Sequence, residues 1–491
     1  MPSTKPHEIP WPISSFPGAH VEESAGRLWN VTAEQLGDPS EKSRTAPFLY
    51  AWHRQPGLTK HNVTPTGQTG YRGGLIVNTL SYEAWANNAS TVDVSGTYAS
   101  LGPFNGTKAV SIARNQATVP DVVGVDIDNG AYKLSGGGAP TAYTGAGAMP
   151  QPNSVTFQDG FLFFTIADGR IFATQVNSLT MNALTFTTVQ AKSSVQLLRA
   201  ISFGGLLHCF TTASCEVYQN PGNVTAPFFP FTRMVVLEFG LVQANAIAGF
   251  EDGFSNLIWV AQDFGVYWLE PGSLAPVKIS PPDLDRLIAI EIRAGRLINA
   301  GCYAFAGKKF WTLSSSLWTY EFNLNTKKWN ERVSLIPALA QYTRWRGIGG
   351  HPAFGKWLMG DAQGGDLLWI DETNFKENGT LQLCRMESGP LVNFPNRFRV
   401  PRADFNFVTG VGTPDTLDPK VAISWSNDNG NKWLNPLVRS LGRSGFSKTT
   451  RISVKNTGQT GPHGRRWRWD ASDPVYISFM GATQSTDPKE Y

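Results

Sequence analysis

The sequence predicts a mainly β protein: a β-propeller of six or seven blades, plus a second all-β domain built from the C-terminal part together with the N-terminal segment. Three observations carry this. An apolar strand, a Gly- or Asp-bearing turn and a second alternating strand recur roughly every 45 to 52 residues, which is the period of propeller blades. Charged residues make up only 16% of the 491-residue chain, whereas an average globular protein has roughly 25%. Gly (49), Pro (32) and 12% aromatics suit short strands joined by turns and disfavour helix bundles or disorder.

Residues 1–65 read as an irregular, Pro-rich platform and lead-in segment. One periodic piece in it, Arg27-Leu28-Trp29-Asn30-Val31, predicts a strand. Residues 66–376 read as the propeller. Its clearest repeats begin near residues 160, 205, 257, 309 and 356, with Phe161-Leu162-Phe163-Phe164, Leu206-Leu207-His208-Cys209-Phe210 and Leu257-Ile258-Trp259-Val260 as the sharpest first strands. Weaker copies at Gly74-Leu75-Ile76-Val77 and Val122-Val123-Gly124-Val125 extend the count. Asp168-Gly169, Asp263-Phe264-Gly265 and Gly364-Gly365-Asp366 supply turns. A hairpin alone is marginal, but blades stacked face to face hide their apolar faces, at about 1.5–3 kcal/mol per large side chain. Pro282 to Gly295 predicts one short helix between blades. Residues 377–491, with the alternating Lys420-Val421-Ala422-Ile423-Ser424-Trp425, read as the C-terminal β domain, contributing to a ring or platform and a channel.

The composition narrows the chemistry. Net charge is +4, too balanced for a dedicated nucleic-acid binder. The four cysteines (Cys209, Cys215, Cys302 and Cys384) form no C-x-x-C pair and read as reduced core residues. No apolar leader opens the sequence, and the longest apolar stretch, 161–167, is far short of the roughly 20 residues of a membrane helix. A soluble protein made in a cytoplasm is expected. Gly350 to Lys356 imitates a phosphate-binding loop, but Trp357 stands where a hydroxyl is needed and a strand follows where a helix should. No metal-ligand cluster or nucleophile motif appears, so no catalytic, cofactor or metal residues are expected, and no cofactor.

Two features remain. Ser426-Asn427-Asp428-Asn429-Gly430-Asn431-Lys432-Trp433 resembles the Asp box, S-x-D-x-G-x-T-W, with Lys432 in place of Thr. Ser426, Asp428, Gly430 and Trp433 are expected to build a structural turn in which the carboxylate accepts backbone N–H bonds. Second, no acidic residue lies between Asp428 and Asp470, and the stretch carries Arg439, Arg443, Lys448, Arg451, Arg465, Arg466 and Arg468, with Trp467 and Trp469 interleaved. This reads either as a surface facing DNA phosphate or an acidic partner, or as a solvated face of a twisted sheet.

In order along the chain, several segments resemble one family. These are Arg27-Leu28-Trp29-Asn30, Gln55-Pro56-Gly57-Leu58, Arg72-Gly73, Glu216-Val217-Tyr218-Gln219-Asn220-Pro221-Gly222, a Trp329-Asn330-Glu331-Arg332 turn, Gly360-Asp361, Ser424 to Gly430 and Ser472-Asp473-Pro474-Val475. The chain is similar to the packaged-DNA stabilisation, or tail-hub (nozzle), proteins of short-tailed bacteriophages. Thr32 and Asn330 depart from the family pattern, and residues 456–464 look like an extra Gly-rich loop. The resemblance implies a structural virion component, not an enzyme. It implies a homo-oligomeric ring, a hexamer, below the portal and adaptor ring. Such a ring extends the channel for packaged double-stranded DNA, retains that DNA until ejection, and anchors a tail needle, fibre or spike. It also implies a place in the viral tail, assembled in the host cytoplasm without membrane insertion. The rival reading is a propeller glycosidase or glycan-binding module of sialidase type, supported by the blade period and the single Asp box.

Overall fold

In the computed structural model, each of the five clearest apolar repeats is the second strand of a blade, whereas the weaker copy at 74–77 is an innermost strand. Phe161–Thr165, Leu206–Thr211, Leu257–Val260, Lys308–Ser314 and Lys356–Asp361 each follow an inner strand that the sequence pattern did not mark. The structure describes residues 6–37, 49–64, 66–190, 196–222, 228–447 and 450–488. These divide into two units: unit 1 is 1–59, 318–344 and 371–491, and unit 2 is 60–317 and 345–370. Against the expected propeller span of 66–376, residues 318–344 therefore group with the N- and C-terminal segments.

Unit 2 holds five four-stranded antiparallel sheets, at 73–103, 110–143, 154–188, 197–237 and 247–278. Two further strand sets start at Asn299–Phe305 and Gly347–Ala353. Among the described residues that makes seven. Their innermost strands adjoin in sequence, and Gly347–Ala353 returns to lie beside Gly73–Val77, which closes the ring. Between Leu197–Phe203 and the fifth blade, Arg199 Nη1 donates to the Ala244 carbonyl at 3.2 Å. Adjacent blades share apolar cores: Phe163, Leu207 and Tyr218 form one, and Val123, Leu162 and Phe164 another. The Arg72 guanidinium donates to Asp126 and to the Phe104 carbonyl (3.0 Å), tying the first blade to the second. Gly360 is required by close approach, because a Cβ there would lie 1.9 Å from the Tyr71 ring. The α-helix Pro282–Arg293 begins with Pro, whose missing N–H costs nothing at a helix start. It is the one α-helix among the described residues.

In unit 1, Val31–Gln35, Tyr50–Arg54, Ser478–Pro488, Phe398–Phe407 and Ile452–Lys455 form one sheet, with Pro6–Glu8 paired to Ser478–Pro488. A second sheet runs through Thr319–Asn323, Lys328–Ile336, Arg27–Trp29, Cys384–Glu387, Arg466–Ala471, Lys420–Ser426 and Leu437–Ser440. The predicted strand 27–31 is broken at Asn30, which adopts φ 53°. Its side-chain amide donates to the carbonyls of Val333 and Leu383, both at 2.8 Å. Both sheets supply one core, in which Ile9, Trp11, Leu28, Val31 and Trp52 meet Met386, Phe405, Trp467, Trp469 and Phe479. The expected turn at Trp329-Asn330-Glu331-Arg332 lies inside the strand Lys328–Ile336. Alternation there sends Glu331 towards Arg27 and Trp29, while Arg332 reaches Gln55 and Pro56. All four cysteines are buried and free. Among the described residues, no helix is long and apolar enough to cross a membrane.

Candidate functional site

The Asp-box-like turn closes the strand Lys420–Ser426. The Ser426 hydroxyl donates to Asp428 Oδ1 at 2.6 Å and accepts from the Gly430 N–H at 2.8 Å. Asp428 Oδ1 also accepts from the Lys432 N–H at 2.9 Å. Gly430 sits at φ 100°, where a side chain is strained. Burial works against ionisation of Asp428, but the Ser426 hydroxyl and Lys432 amide outweigh it and hold the carboxyl below its usual range. That oxygen is thus engaged in holding the turn. Trp433 lies under Arg468, whose guanidinium carbon is 4.3 Å from the ring centre. The turn also grips the chain's start, with Asn429 Nδ2 donating to the Glu22 carbonyl at 3.1 Å.

The basic stretch does not form one surface. Arg465 and Arg466 are interior side chains, 0% and 1% exposed. Arg465 donates to Asn427 Oδ1 (2.7 Å), the Thr457 carbonyl (2.9 Å) and the Thr457 hydroxyl, so it clamps the loop 456–464. Arg466 Nε donates to Asn429 Oδ1 at 2.7 Å, and its Nη2 donates to the Ser24 carbonyl. Arg468 lies 3.8 Å from Glu387 and 3.7 Å from Asp470. Trp467 and Trp469 are core residues and offer no face for stacking. Arg439 is half-buried, with Nε donating to the Ser453 carbonyl at 3.0 Å. Arg443 and Arg451 are exposed, and Lys448 lies outside the described residues. Gly350 to Lys356 forms two strand ends and their turn, with Lys356 Nζ over the Trp369 ring at 4.2 Å.

Sequence reasoning missed a cavity of about 140 Å³ on the axis of unit 2. Five glycines (Gly73, Gly74, Gly301, Gly349 and Gly350) leave bare backbone on one part of its wall. Elsewhere the wall carries Arg199, Asn245, Glu251, Asp252, Asn299 and His351. Arg199 Nη2 donates to Glu251 Oε2 at 3.3 Å, and Thr156 Oγ1 donates to Glu251 Oε1. Asp252 Oδ2 accepts from the Gly249 N–H at 2.8 Å. Burial is the largest influence on both carboxyls and raises them, opposed by Arg199 at Glu251 and by the Gly249 amide at Asp252. Behind the wall, the fully buried Glu83 accepts from Ser81 Oγ at 2.6 Å and lies 3.4 Å from His351 Nε2. Glycine clusters in the inner strands were the available signal, since each marks a place where backbones or side chains converge.

A family model described as "Bacteriophage P22 Gp10, beta-propeller" matches residues 51–374. A comparison with curated proteins found no match. Among solved structures, a streptogramin B lyase is 15% identical, covering 65% of this chain and 98% of that one, with a TM-score of 0.42. The WD40 β-propeller domain of Doa1 is 8% identical, covering 64% and 98%, with a TM-score of 0.41. BamB from Moraxella catarrhalis is 11% identical, covering 70% and 98%, with a TM-score of 0.37. At these identities and TM-scores, none of the three bears on activity or partners.

Proposed function

We propose, since this chain belongs to the bacteriophage P22 Gp10 β-propeller family, the phage DNA-stabilisation and tail-hub proteins, that this virion structural protein serves as the tail-hub, or nozzle, subunit. In this reading the subunits assemble in the host cytoplasm as a sixfold ring under the portal and adaptor. The ring continues the DNA channel, retains packaged DNA and anchors a needle, fibre or spike. The role is structural, not catalytic. The observation that carries it is the family match over 51–374. The charge balance supports it too. A conduit should not grip its cargo, because each phosphate contact adds affinity and salt dependence, and the net charge is only +4.

Negative-stain electron microscopy of the purified protein mixed with a portal–adaptor complex tests the proposal. A sixfold ring capping that complex is expected. Persistent monomers beside intact portal assemblies would sink the hub reading.

A further inference from the structure

One turn of the fifth blade reaches across the axis of unit 2. Residues 249–254 leave the inner strand Ile247–Ala248, and Asp252 Oδ2 closes the turn by accepting from the Gly249 N–H at 2.8 Å. The turn then meets the third, fourth, sixth and seventh blades. Thr156 Oγ1 of the third blade donates to Glu251 Oε1. In the fourth, Arg199 Nη2 donates to Glu251 Oε2 at 3.3 Å, the Ser202 N–H donates to Oε1 at 3.4 Å, and the Phe203 ring lies 5.9 Å from that of Phe250. Lys309 Nζ of the sixth blade sits 5.8 Å from the centre of the Phe254 ring. In the seventh, Trp357 meets Phe254 edge-on at 5.3 Å, and a Cβ on Gly253 would lie 2.8 Å from Pro352. The bond from Thr156 to Glu251 skips the fourth blade, so the turn ties blades that the ring order alone keeps apart.

Glu251 is where this tie carries a charge. Its Oε1 meets only neutral donors, and its Oε2 shares Arg199 with the Ala244 carbonyl. Asp252 follows it on the same turn, with Arg199, His351, Cys302 and Tyr71 facing it from other elements. Of the remaining charged groups on the cavity wall, Arg72 is paired with Asp126, and His351 lies 3.4 Å from Glu83. Adjoining carboxylates repel, and withdrawal from water disfavours the charged form of each. A neutral Glu251 keeps an oxygen for Thr156 and Ser202 and sheds its repulsion from Asp252.

We infer that this turn is a proton-sensitive bolt across the ring, which seats more firmly as pH falls and Glu251 takes up a proton. Burial raises the Glu251 carboxyl above its ordinary 4.5, with Arg199 opposing, and raises Asp252 above 3.8, with the Gly249 amide opposing. The folded chain therefore binds these protons more readily than the unfolded one. For Glu251 the stabilisation is full below pH 4.5 and is lost as pH rises through the higher folded value.

Hydrogen exchange of the full chain tests this, read by mass spectrometry on peptides covering 154–158, 197–203 and 249–254 and corrected for intrinsic rates, at about pH 7.5 and about pH 5.5. Glu251→Gln keeps an acceptor for Thr156 and Ser202 and does not ionise. It should be better protected than the parent at the higher pH, and the gap should narrow at the lower. Thr156→Val cuts the tie to the third blade and takes a donor from the carboxylate. It should lose protection in 249–254, more so at the higher pH, while peptides of the first two blades, within 73–143, keep parental rates. A thermal melt of each variant checks folding. A Glu251→Gln gap that is absent, constant or wider in acid would overturn the bolt. So would a folded Thr156→Val variant with parental protection in 249–254, or with equal loss at both pH values, and that variant decides alone if Glu251→Gln does not fold.

Discussion

Burying a guanidinium without a carboxylate beside it is costly, yet Arg465 is fully enclosed among neutral oxygens of Asn427, Thr457 and Gly458. Burial pushes its pKa down to about 9. Arg465→Ala should therefore leave several buried acceptors unmet and destabilise unit 1 by about 2–4 kcal/mol. Arg443→Ala, on the surface, should stay within about 0.5 kcal/mol. Guanidinium melts of the two variants separate these outcomes. The charge run showed where bases accumulate, but burial depends on partners that fold in from elsewhere, such as Asn427 and the carbonyls of 457–458. The Asp-box turn was readable because Ser426, Asp428 and Gly430 satisfy one another within five residues. His208 gives a second test at this scale. It is 1% exposed, and burial pushes its pKa from 6.5 down to about 4, against a smaller opposing effect of the Leu206 backbone. The unfolded chain then binds the proton more readily than the folded one. This contribution is full above pH 6.5 and is lost as pH falls towards 4, by as much as about 3 kcal/mol. In urea melts across that range, His208→Leu should show a shallower loss than the parent; equal slopes would refute the assignment.

Among the strands, legibility followed burial. Second strands such as Phe161–Thr165 pack in blade cores and announce themselves by apolar runs. Inner strands do not: Gly347–Ala353 reads Gly-Ile-Gly-Gly-His-Pro-Ala, because close backbone approach selects for glycine. At Gly350 a Cβ would lie 1.9 Å from the Cys302 carbonyl oxygen. Outer strands such as Met181–Thr188 are largely exposed and lose the alternation that one buried face imposes. The strand Lys328–Ile336 was misread as a turn because its polar run, Asn330-Glu331-Arg332, is buried by pairing and not by apolar character. Glu331 alone engages Arg27, Trp29 and Ser15. Glu331→Ala should free the segment around Phe16–Gly26, seen as faster limited proteolysis there while sites in unit 2 keep their parental rate.

At the scale of the whole molecule, the N-terminal segment joins the C-terminal part, since Ile9, Trp11, Leu28, Val31 and Trp52 complete the core of residues 384–482. Composition could indicate a second β domain, but pairing over hundreds of residues leaves no local pattern to read. A chain ending at 376 should therefore expose this half-core, with soluble yield falling and dye binding to apolar surface rising. A soluble, dye-silent truncation would contradict the shared core. For DNA, the intact protein should bind duplex only weakly at physiological salt in fluorescence anisotropy. Tight binding there would exclude a passive conduit.

The shared core of unit 1 also sets a timetable. Leu28, Val31 and Trp52 leave the ribosome about 400 residues ahead of Trp467, Trp469 and Phe479, against which they pack. At about 5–20 residues per second, the interval is roughly 20–80 s. Throughout it these apolar side chains lack their native cover, so newly made chains are most exposed to aggregation, and most dependent on chaperones, around residues 28–52.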